Sequence, residues 1–91
     1  MTPSRWEPIV APSDKRSLAR LPEKAAAAVV EFMVGPLTED PRRVGHRLRG
    51  ELEGLWAARR GPYRVVFEIE ELAREVRVLR IDHRADVYRP R

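Results

Sequence analysis

The clearest periodicity in the chain lies between Glu23 and Val34. Ala26, Val29, Val30 and Met33 fall there at i, i+3, i+4 and i+7 in an alanine-rich run. This spacing predicts an amphipathic helix, and Phe32 widens its apolar stripe enough for packing on a sheet. Gly35-Pro36 stops it. Upstream, Pro12, Ser13 and Asp14 predict the start of a first helix with Leu18 and Leu21 as its apolar contacts. Pro22 ends that segment and stands where the second helix begins. Arg5 to Ala11 predicts a short strand, which Pro8 confines to an edge or an early position.

The period then changes. In Leu55–Ile69 (LWAARRGPYRVVFEI), Gly61-Pro62 breaks the run, and Tyr63, Val65, Phe67 and Ile69 alternate with Arg64, Val66, Glu68 and Glu70. Alternation of this kind predicts a hairpin of two half-buried strands. Neighbouring strand residues point to opposite faces, so burying Tyr63, Val65 and Phe67 sends Arg64 outward. In the preceding strand Trp56 and Ala58 oppose Ala57 and Arg59. With the aromatic residues inward, Arg59 and Arg64 share the outer face, while Arg60 crowds the turn.

Flanking the hairpin, RLRGELEG offers Leu48 and Leu52 as core anchors and Gly50 and Gly54 as bends or bulges. Leu37–Val44 (LTEDPRRV) predicts a loop. Arg74–Ile81 (REVRVLRI) predicts the last strand; Leu79 breaks its polar phase, as expected where both faces are partly covered. The expected fold is therefore α+β, a single domain over residues 1–91. A small antiparallel sheet, made of an N-terminal edge strand and a three-stranded C-terminal meander, packs against a two-helix N-terminal hairpin.

Charge gives the outer face a meaning. Through Pro41 the chain has five basic and six acidic residues, and from Arg42 onward thirteen and eight, with Lys15 and Lys24 the only lysines. A guanidinium is planar, always charged and able to bond bidentately, so an arginine-rich half favours a phosphate-bearing partner. The absence of cysteine removes disulfides and thiolate metal sites and agrees with a cytoplasmic setting. Neither an export signal nor a membrane span is expected. The two histidines, His46 and His83, have no carboxylate cluster at ligand spacing, so no metal or other cofactor is expected. A nucleophilic triad and a glycine-rich phosphate loop are equally unsupported.

Three stretches then occur in a telling order: RLRG (Arg47–Gly50), GLWAARRGPYRVVF (Gly54–Phe67) and VLRIDHRADVY (Val78–Tyr88). Together with LPEK (Leu21–Lys24), this order resembles the RelE group of the RelE/ParE toxin superfamily. The resemblance implies a toxin of a type II toxin–antitoxin system that enters the ribosomal A site and cleaves mRNA without a metal. Its implied partners are a cognate antitoxin, the ribosome and mRNA. By position, Arg59 and Arg64 match the basic residues of the family's hairpin, Arg84 the basic residue after the last strand, and Tyr88 the C-terminal tyrosine. Many relatives carry a further Lys or Arg where this chain has Ala57.

For a 2′-hydroxyl to attack the neighbouring phosphorus, in-line geometry, stabilised phosphoryl oxygens and proton transfer at both ends are required. Arg64 and Arg84 suit the oxygens. Imidazole ordinarily titrates near neutral pH, which brings His83 into the catalytic set. Tyr88 has two open roles, proton donation and base stacking, and Arg47, Arg49 and Arg60 are phosphate-binding candidates. Two other readings use the same fold: a ParE-like protein inhibitor of DNA gyrase, and a weakened toxin acting mainly as an antitoxin-bound regulator.

Overall fold

The computed structural model describes residues 6–83. In chain order these form β1 (Glu7–Val10), α1 (Pro12–Arg20), α2 (Glu23–Val34), α3 (Pro36–Glu39), α4 (Pro41–Val44), β2 (His46–Arg47), a 3₁₀ turn (Gly50–Leu52), β3 (Trp56–Arg60), β4 (Tyr63–Glu70) and β5 (Glu75–His83). The expected α+β architecture is present. Its sheet has five strands in the order β1-β5-β4-β3-β2, with the proline-containing β1 at one edge and the two-residue β2 at the other.

The sheet is mixed rather than wholly antiparallel. β1 runs parallel to β5, Glu7 opposite Glu75 and Val10 opposite Val78, with four helices and three strands between them in the chain. Alternation fixes which side chains face inward but carries no information about strand direction. The remaining pairs are antiparallel.

One face of the sheet, the inner face, carries Ala58, Val65, Phe67, Val76 and Val78 against Val29, Phe32 and Met33 of α2, and together they form the core. Leu18 and Leu21 pack at its margin as expected. The α2 stripe is rotated from its predicted centre. Phe32 is buried and Val30 is 40% exposed, since turning the phenyl ring inward buries more apolar area than turning the valine inward.

The expected loop at Leu37–Val44 is instead two single helical turns, α3 and α4, each with proline in its first turn. Proline's fixed φ suits that position, and the Asp40 side chain accepts from the Arg43 backbone N–H at 3.3 Å. Leu37 and Thr38 are buried; the Thr38 hydroxyl donates to the carbonyls of Val34 and Gly35 at 3.0 and 3.1 Å. Thr38 also anchors the N-terminal strand, because its carbonyl accepts from Trp6 N–H at 2.8 Å. Trp6 is buried beneath the guanidiniums of Arg74 and Arg42, 4.3 and 5.7 Å from its ring centre.

Gly45 leads into β2 across the edge of Phe67. A Cβ at Gly45 would stand 2.6 Å from Phe67 Cζ, so only glycine lets the chain pass there unmoved. Gly61 turns the hairpin at φ 61°, a region that favours glycine. Leu52 is a surface residue, 36% exposed, rather than a core anchor, because its 3₁₀ turn stands clear of the helices.

Candidate functional site

The β3–β4 register sets Arg59 directly opposite Arg64, and β4–β5 sets Arg64 opposite Asp82. One row on the outer face of the sheet therefore reads Arg59–Arg64–Asp82. The next row reads His46–Ala57–Val66–Arg80. Ala57 and Val66 are fully buried although, among the described residues, the helices pack on the opposite face. By register they form an apolar floor bordered by Arg59, Arg64 and Arg80.

Like charges directly opposite each other destabilise a sheet, and here the opposition is only partly relieved. Arg64 Nη2 lies 4.0 Å from Asp82 Oδ2, and Arg80 Nη2 lies 3.1 Å from the same oxygen. The first contact is too long for a hydrogen bond and the second is not one, and the buried Arg64 Nε and Asp82 Oδ2 both stay unbonded. Arg59 is exposed and has no ion pair among the described residues. Such a cluster matches the requirement of a phosphate group, whose oxygens accept from guanidinium forks. Because Arg64 is held by attraction to Asp82 and not by a fixed hydrogen bond, it can turn to another acceptor at small cost.

The other expected site residues are distributed differently. Arg60 lies opposite Tyr63 on the inner side, beside the hairpin turn and next to Ala25, Ala28 and Val29 of α2. Arg47 lies opposite Trp56, its guanidinium 5.5 Å from the indole ring centre, and Arg49 follows β2 in the same neighbourhood. His83 pairs with Tyr63, and the two rings meet edge to face at 5.2 Å. It therefore belongs to the inner face, away from Arg59 and Arg64. Arg84 and Tyr88 lie outside the described residues.

The position of His83 follows from one extra residue. Val66 pairs with Arg80 while Phe67 pairs with Val78, so Leu79 is a bulge in β5. Unbroken alternation from Val76 and Val78 would turn Arg80 and Asp82 inward and His83 outward. The bulge reverses this beyond Leu79 and makes Asp82 the neighbour of Arg64. The irregular phase at Leu79 was its signal in the sequence.

The imidazole that does reach the arginine face is His46, exposed on β2 opposite Ala57. Two strand spacings and two residues along the strand put its Cα roughly 12 Å from that of Arg64. Two long side chains and one phosphodiester can bridge that interval. A strand of two residues leaves no periodicity to detect, and only its pairing with β3 gives His46 a face.

Known proteins share this fold. Residues 9–88 match the family described as "ParE toxin of type II toxin-antitoxin system, parDE". The chain is 51% identical over 75 residues to Toxin RelG of Mycobacterium tuberculosis, covering 82% of this chain and 86% of that protein. It is 53% identical over 74 residues to Toxin RelE of the same organism, covering 81% and 76%. The solved toxin–antitoxin complex RelBE2 from M. tuberculosis superposes with a TM-score of 0.85 at 42% identity, over 88% of this chain and 99% of that one. A mutant of Escherichia coli toxin RelE in the free state shares the fold alone, with a TM-score of 0.71 at 15% identity, over 92% and 87%. The chain belongs to the RelE/ParE superfamily and is a RelE-type toxin of a type II toxin–antitoxin system.

Proposed function

We propose that this toxin is an endoribonuclease that cuts mRNA in the ribosomal A site and is silenced by a cognate antitoxin in the cytoplasm. The observation that carries this reading is the juxtaposition of Arg59 and Arg64 on an open sheet face. Those two guanidiniums bind the scissile phosphate and stabilise charge on its oxygens as the 2′-oxygen attacks phosphorus. The attacking hydroxyl gives up its proton, the P–O5′ bond breaks, and the leaving 5′-oxygen takes a proton. The products are a 2′,3′-cyclic phosphate and a 5′-hydroxyl.

Arginine remains protonated and is unsuited to either proton transfer. His46, on the arginine face, is the imidazole placed for one of them; Arg84 and Tyr88 keep the roles implied by family resemblance. The similarity to the toxin of the RelBE2 complex supports an antitoxin partner.

Expression of the chain in cells, with messenger 5′ ends mapped against reading frame, tests the reading. Cleavage confined to translated codons is expected. Intact messages accompanied by DNA damage would support gyrase inhibition instead. Growth arrest that is absent with the antitoxin deleted would favour the regulator reading.

A further inference from the structure

The edge strand β2 turns its two side chains to opposite sides of the sheet, and on the inner side it borders a groove of about 970 Å³. Arg42, Arg47 and Arg49 line this groove together with Trp56, and Glu53 is the carboxylate in its wall. Arg42 is held by an ion pair with Glu71 and by its contact with Trp6. Arg47 and Arg49 are exposed and have no ion pair among the described residues. The Trp56 indole stacks on Phe67 at 6.5 Å and 20°, and it also meets the Arg47 guanidinium. Half-buried, it lends its ring to the core and to the groove at once.

Single-stranded RNA is held by cations along its backbone and flat aromatic surfaces against its bases. We propose that this groove is a second RNA subsite, taking a nucleotide that flanks the one bound at Arg59 and Arg64. The strand passes around the β2 edge, where His46 faces one side and Arg47 the other. Its base stacks on Trp56 in place of the Arg47 guanidinium, which moves to the phosphate beside Arg49. The volume is within the range of about 300–1,000 Å³ that ligand sites occupy. An acidic protein segment would match the arginines but leave the indole without a flat partner. The assignment rests on the reading of RNA as the substrate of the outer face.

The test is a titration of the free protein with a short single-stranded RNA whose riboses are 2′-O-methylated, so that binding proceeds without cleavage. Indole fluorescence is expected to be quenched. Trp56→Phe should abolish the quench while anisotropy of labelled RNA still reports binding. Arg47→Ala and Arg49→Ala should each weaken binding about tenfold and lower the log–log salt slope by about 0.7. Circular dichroism melting verifies their folding. Arg64→Ala should retain the quench.

RNA binding without a quench, or a quench unaltered by Arg47→Ala, overturns the groove and leaves the outer face standing. A polyglutamate peptide that quenches Trp56 and displaces RNA overturns it in favour of an acidic protein ligand. A quench in a protein that cuts no message in cells preserves the groove and rejects the nuclease reading.

Discussion

The two ends of the outer sheet face carry opposite charge. Near the Gly61 turn, Arg59, Arg64 and Arg80 face Asp82, the single carboxylate on that part of the face among the described residues. At the other end Arg77 faces Glu68, Glu70, Glu75 and Glu7. There Arg77 is well matched, 3.8 Å from Glu68 and 3.2 Å from Glu75. Rows of Arg64 and Glu70 lie six residues apart, roughly 20 Å, well beyond the screening length of about 8 Å at physiological salt. Each end therefore meets a ligand as a separate surface. A stable fold alone would favour interleaved charges; under the proposed function, the arginine end receives the polyanion and the acidic end is the one it avoids.

Reversal of both arginines, Arg59→Glu with Arg64→Glu, should break the contrast most completely. Message cleavage should fall by more than about 10³-fold, while Glu68→Gln with Glu70→Gln leaves it within a few-fold; 5′-end mapping at matched protein levels measures both. Equal loss in the two double variants would mean that the polarity of the face has no bearing on activity. The histidines give the next effect. His46→Ala is expected to slow single-turnover cleavage by about 10² and His83→Ala by less than about tenfold; the reverse order would move proton transfer to the inner side.

Smaller effects bear on stability. Glu70→Lys places a cation opposite Glu75 but removes the carboxylate that accepts from Leu72 N–H at 3.1 Å, so stability should change by less than about 1 kcal/mol, read from urea denaturation. Arg77→Ala should cost less than about 1 kcal/mol in the same measurement, because its partners are partly exposed and solvent screens them.

The hairpin and the sharing of one face by Arg59 and Arg64 were legible in the sequence, because strict alternation around Gly61 leaves one arrangement that buries Tyr63, Val65 and Phe67. The helix Glu23–Val34 was equally legible, but its rotation was not. Val30 and Phe32 compete for one narrow strip of sheet, and the outcome depends on the shape of the opposing surface. β2 had no local signature at all. It exists through pairing with β3 and through the clearance that Gly45 gives Phe67, and it determines the face of His46. The polar run Leu37–Val44 with Pro41 inside it read as a loop, whereas Pro36 and Pro41 instead start helical turns.

Leu79 shows that a sheet, like a message, has a reading frame. Its own side chain is half in solvent, so substitutions there change little beyond local contacts. Deletion is a different event. The β5 residues after it would exchange faces, driving Arg80 and Asp82 toward the core and His83 toward Arg64. Charges so buried are costly, so the frame is kept by the core even though its product is the composition of the opposite surface. Insertions and deletions in β5 are thus the lineage changes most able to rewrite this toxin's chemistry, and the least able to survive.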